Sequence, residues 1–123
     1  MKSLLLPFTL VAATIAAPAF AECTAPIFNV TVPDGAKATK EVMVAAQKSI
    51  KELNTAVTDF TNCLLTERDA KIAAGGDNLN DAARQKIAAE YTTRNNAAVD
   101  KLTKIADKFN LEVRAFKAKQ PQG

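Results

Sequence analysis

Cys23 and Cys63 are the two cysteines of this chain, and their spacing limits what they can do. Thiol redox work favours a Cys-x-x-Cys pair, and a zinc site needs further soft or imidazole ligands. Here the pair lies about 40 residues apart, and the chain has no histidine. A metal or redox pair is therefore the weaker reading, and a structural disulfide the stronger; such a bridge needs an oxidising compartment.

Other residues offer less. Gly75-Gly76-Asp77 has the glycines of a phosphate or calcium loop, but neither the lysine of the first nor the alternating carboxylates of the second, so it reads as a turn. Glu67, Asp69, Asp77 and Asp81 gather around that turn as solvated carboxylates, at most a weak divalent-cation site. Asn29-Val30-Thr31 matches a glycosylation sequon, a pattern short enough to arise by chance. Arg94, Lys101 and Lys108 recur every seven residues and form one ridge along a helix. Its first reading is a solvated face whose stems cover neighbouring apolar surface. Its second is an anion-binding ridge, with Asp100 and Asp107 diluting its field. No nucleophile stands beside a base, so the expected catalytic, cofactor and metal sets are empty.

The N-terminus points to a compartment that would permit a disulfide. Lys2, an apolar run from Leu4 to Ala17 and the triplet Ala19-Phe20-Ala21 have the three parts of an export signal, with cleavage expected between Ala21 and Glu22. The run is bounded by Pro7 and Pro18 and is shorter than the roughly 20 apolar residues of a spanning helix. A lipid anchor would need cysteine directly after the cut, where Glu22 stands. The expectation is a periplasmic or secreted protein with no transmembrane segment in its mature part.

What remains after residues 1–21 suffices for one domain and not two. The full chain has no tryptophan, one tyrosine and six phenylalanines, two of which fall within residues 1–21, so the core must rely on small side chains, which suits close-packed helices. The full chain's net charge of +3, one unit of it from Lys2, is too small to imply nucleic acid. It is unevenly distributed, with 6 basic and 8 acidic residues over 22–77 and 9 basic and 5 acidic over 81–119.

Met43, Ala46, Ile50, Leu53, Val57, Phe60 and Leu64 recur at alternating spacings of three and four, the seam of an amphipathic helix. Thr39 is its expected N-cap after a Pro33-Asp34-Gly35 turn, and Gly75-Gly76 its stop, giving a helix over about 40–74. A second helix, over about 79–118, starts at Asn78 or Asn80. Its seam runs through Ala88, Tyr91, Asn95, Ala98, Leu102, Ile105, Phe109 and Phe116, widened by Val99 and Val113. Asn95 reads as a buried polar residue that sets register. The short joint makes the helices antiparallel neighbours.

Two helices alone bury one stripe each, so something must cover the rest. Residues 22–38 carry Ile27, Phe28, Val30 and Val32 among prolines and a glycine, apolar but averse to helix. They are expected to lie extended as a strap along the hairpin. Cys63 sits about 35 Å up the first helix, within the roughly 53 Å that the strap can span. It falls beside the seam on the flank of Val42, Ser49 and Ala56, which offers a lane for the strap. A Cys23–Cys63 bridge would contribute about 4 kcal/mol on the chain-entropy account. The predicted fold is thus all-α: a long antiparallel two-helix hairpin over residues 39–119, an extended N-terminal strap disulfide-linked to the first helix, and a disordered tail at 120–123.

The segment with Glu22-Cys23, the turn Val32-Pro33-Asp34-Gly35, Ala38-Thr39, the helix start Glu41-Val42-Met43, Ala46-Gln47 and Cys63 before Leu64 resembles a group of small exported bacterial proteins. The resemblance covers about residues 22–65 and implies export and the cysteine pair. The group has no assigned activity, so none is implied. The function expected is a non-catalytic exported helical protein that serves as a protein-interaction or envelope-associated module. Its partner would be another protein or a second copy of the chain, with weak contact to the envelope surface. The alternatives are an inhibitor that inserts the tip around Gly75, or a protein that binds an anionic lipid or lipopolysaccharide surface.

Overall fold

Thr39 has extended backbone, and its side-chain oxygen accepts the Val42 amide, so the first helix begins at Lys40 with Glu41 at the positive end of its dipole. This helix, α1, spans Lys40–Gly75. It ends because Gly76 adopts φ +50, a conformation that costs glycine little, and its amide bonds back to the carbonyls of Ile72 and Ala73. A single 3-10 turn, Gly76–Asn78, follows. Leu79 is extended, and the Asn80 side chain accepts the Ala83 amide at 2.8 Å, which starts the second helix at Asp81 rather than at 79. This helix, α2, spans Asp81–Lys119.

The computed structural model describes residues 22–121. The segment expected to be an export signal, residues 1–21, and the last two residues of the expected tail lie outside that range. The described residues form an all-helical antiparallel hairpin with an extended N-terminal strap, and Cys23 is disulfide-bonded to Cys63. At 1.5 Å per residue the helices are each about 55 Å long, so the hairpin is a thin rod with a seam and little depth.

Two apolar clusters fill the seam. Nearer the tip, Leu53, Val57, Phe60 and Leu64 of α1 meet Tyr91 and Ala98 of α2 and Cys23 of the strap. Nearer the open end, Met43 and Ala46 meet Phe109. The strap joins both clusters, with Phe28 and Val30 against the first and Val32 against the second. Between them Ile27, Asn29 and Thr31 face outward. A two-residue alternation in a chain with no sheet follows from extended backbone, which turns successive side chains to opposite sides. Half-burial of the three inward side chains contributes on the order of 3 kcal/mol.

The α1 seam lies as its periodicity predicts, and so does most of the α2 seam, with Tyr91, Ala98, Leu102, Ile105, Phe109, Val113 and Phe116 all packed inward; two positions depart. Asn95 is only half-buried, and its amide donates to neighbouring Asn96 at 3.3 Å rather than across the helix pair, so it does not act as the buried register-setting residue expected. Val99 is 40% exposed and does not widen the stripe, whereas Ile87 packs into the upper cluster. On α2, Arg94 and Lys101 reach the strap.

Candidate functional site

The strap is held at both ends by polar contacts, and the upper set is the densest convergence of polar groups among the described residues. Glu67 lies one helical turn beyond Cys63 on α1. One of its carboxylate oxygens accepts the Cys23 amide at 3.0 Å, and the other accepts the Tyr91 hydroxyl at 2.8 Å. Arg94, on the same face of α2 as Tyr91, donates to the Cys23 carbonyl at 3.2 Å and lies 3.7 Å from the Glu67 carboxylate. Its guanidinium also sits 5.4 Å from the Tyr91 ring centre and 6.0 Å from that of Phe60. Cys23 thus has its amide, its carbonyl and its sulfur all engaged, by two helices.

The electrostatics of this clamp follow from its geometry. The Cys23 amide, then the Tyr91 hydroxyl and then Arg94 hold the Glu67 carboxyl below the usual carboxylate range, against the opposing effect of burial. Burial, with the Glu67 carboxylate beside it, pushes the Tyr91 phenol up to about 12. At neutral pH the pair is therefore a carboxylate accepting from a neutral phenol.

The lower end is held by backbone shape. Asp34 accepts the Ala36 amide on its side chain and the Lys37 and Ala38 amides on its carbonyl, closing the turn expected there. Lys37, 3.2 Å from the Asp34 carboxylate, holds that carboxyl below its usual range. Gly35 donates to Glu112 at 2.7 Å and is packed so closely on α2 that a Cβ would collide with the Glu112 carbonyl. Lys119 reaches back to donate to the Ala38 carbonyl.

The other candidate residues are dispersed. Among the four carboxylates expected near the tip, Glu67 turns to the strap and Asp69 pairs with Arg68 at 2.8 Å, while Asp77 and Asp81 are exposed. The Gly75-Gly76-Asp77 turn is closed by Arg84, which donates to the Gly76 carbonyl at 2.6 Å and the Leu79 carbonyl at 3.2 Å. The metal-ligating atoms that do come together among the described residues are those of Cys23, Cys63 and Glu67, within 4.8 Å of one another. While the two sulfurs are joined they offer no thiolate. The basic ridge is divided: Arg94 belongs to the clamp, Lys101 stacks over strap residue Phe28 at 5.3 Å, and Lys108 is exposed.

The remaining feature is a groove. Between the outer edge of the strap and α1 runs an open furrow of about 730 Å³, walled by Ile27, Val30 and Pro33 and floored by Val42, Ala45 and Ala56. The flank of Val42, Ser49 and Ala56 expected to receive the strap is thus only partly covered; the strap forms one side of it and leaves the rest open. Ile27 overhangs this furrow and is 78% exposed. Among the described residues, no helix is long and apolar enough to cross a membrane.

Sequence reading found the two cysteines but not Glu67, Tyr91 and Arg94 as a unit. The available signal was their relation to the bridge: Glu67 is four residues after Cys63, and the chain's one tyrosine lies on the α2 seam. Comparison with protein-family models, with curated proteins and with solved structures finds no match.

Proposed function

We propose that this chain is a non-catalytic exported protein of the bacterial cell envelope whose strapped hairpin serves as an interaction module. The observation that carries the reading is the use of its polar groups. Glu67, Tyr91 and Arg94, which converge as catalytic groups would, direct their bonding capacity at the strap backbone and at each other. Further along the strap, away from this clamp, a largely apolar furrow is left facing solvent, suited to contact. Export is supported by the leader-like segment of residues 1–21 and by a disulfide that an oxidising compartment would sustain.

The test is site-specific photo-cross-linking in the host. A photoreactive residue at Ile27, beside the furrow, is expected to give one reproducible adduct with an envelope protein. The same residue at Leu111, which is 57% exposed on α2, is expected to give none. Fractionation of those cells is expected to place the chain outside the cytoplasm with residues 1–21 removed. A cytoplasmic location, or no adduct from either site, would overturn the reading.

A further inference from the structure

The strap is a strand without a sheet. From Thr24 to Pro33 no backbone amide or carbonyl has a hydrogen-bond partner among the described residues, although the segment is extended and held at both ends. Such an edge is a template for a further strand, and proteins usually cover or interrupt it. Here one side of it borders the furrow whose floor is α1.

From this we infer that the furrow binds an extended segment of another polypeptide, which pairs with the strap as a second strand and lays alternate apolar side chains on α1. The inference rests on the interaction-module reading and names the chemistry of its partner. The dimensions agree. Pro26 and Pro33 lack an amide hydrogen and delimit a pairing stretch of Ile27–Val32, six residues. The floor from Val42 to Ala56 is about 21 Å long at the helical rise, which accommodates about six extended residues. Backbone pairing would supply affinity, and the small side chains of the floor would select apolar residues at every second position. Nothing in the furrow offers a cluster of cations for an anionic ligand; Glu52 is its one charged lining residue, and it faces Lys48.

A free extended segment fits this space, whereas a second copy does not. That copy's own extended segment is the strap, whose apolar Phe28, Val30 and Val32 are already turned to its own hairpin, so it would bring the polar Asn29 and Thr31 to an apolar floor.

The test uses the oxidised protein, with the strap clamped. A library of displayed seven-residue peptides is selected against it, and the best peptide is synthesised. Binding is expected to slow hydrogen exchange at amides within Ile27–Val32 by about tenfold or more and to leave the peptide extended by NMR. Ala45→Arg, which obstructs the floor, should cost at least about tenfold in affinity. Val44→Arg, next to it but outside the furrow, should cost nothing. A selected peptide that binds without protecting those amides, or binds as a helix, would overturn the inference while leaving the interaction-module reading intact. Failure to select any peptide would also overturn it. So would self-association of the protein that protects the same amides, since it would assign the furrow to a second copy.

Discussion

Glu67 and Cys23 are 44 residues apart in the chain, yet the Glu67 carboxylate accepts the Cys23 amide at 3.0 Å, one helical turn from the sulfur that already binds Cys23 to α1. Covalent and polar restraints therefore act on the same strap residue from adjacent turns. The strap should stay docked on reduction, although more weakly. Breaking the disulfide reopens a 40-residue loop in the unfolded chain and should lower stability by about 4 kcal/mol. Denaturant melts followed by far-UV circular dichroism, with and without a phosphine reductant, should show this loss with little change in helix content before the transition.

Tyr91 reports on the clamp directly, because it is the chain's only tyrosine and there is no tryptophan. Its phenol should titrate near 12 in the folded protein, read by ultraviolet absorbance, and near 10 when denatured. Since the folded value is the higher one, this group's contribution is fully present below pH 10 and is lost as pH rises towards 12. Glu67→Gln removes the neighbouring negative charge and should bring the folded titration back towards 10. An unchanged titration would mean that the two side chains are not paired.

Glu67 has the opposite sign. Its folded value is lowered, so the stability it provides is present above the ordinary carboxylate range and is lost as pH falls through the folded value. Stability measured from pH 6 downwards should decline more steeply in the wild type than in Glu67→Gln. Parallel profiles would remove Glu67 from the account of strap docking.

Gly35→Ala should destabilise by about 2 kcal/mol or more, because the added methyl meets the α2 backbone at Glu112, where no flexible side chain can give way. Lys37→Ala, two residues on, breaks an exposed pair with Asp34 and should cost less than about 1 kcal/mol. Thermal melts of the two variants compare backbone fit with surface charge in one turn.

Arg94 and Lys108 belonged to one ridge in the sequence, and they should behave differently. Arg94→Ala removes the donor to the Cys23 carbonyl and should cost about 1–2 kcal/mol. Lys108→Ala should be close to neutral for stability. If neither variant changes binding to vesicles of anionic lipid, the anionic-surface alternative loses its main residues.

How much of this was legible in the sequence varied with how local the physics is. The α1 seam from Met43 to Leu64 needs only a 3.6-residue period, and the caps at Thr39 and Gly76 need only their own neighbours; these are placed as read. The strap's course could be inferred from reach and composition. Most of the α2 face could be read from its period as well, with Tyr91, Ala98, Leu102, Ile105, Phe109 and Phe116 packed inward, whereas Asn95 and Val99 lie off the seam. The clamp was hidden. Glu67, Tyr91 and Arg94 come from two helices whose relative register is set by packing, and no spacing within either helix encodes it. Charged residues on helix flanks are also usually solvated, which made Glu67 and Arg94 look ordinary. The open furrow is less legible still, since it depends on the lateral position of a segment that makes no regular hydrogen bonds.

In the folded chain the N-terminal segment is fastened across the hairpin by the Cys23–Cys63 bond. Non-reducing peptide mapping by mass spectrometry, on protein alkylated as the host cells are broken, reads this directly. A peptide beginning at Glu22 and cross-linked to the Cys63 peptide is expected, without alkylation at either sulfur. Alkylated Cys23 and Cys63 in protein taken from its own compartment would contradict it.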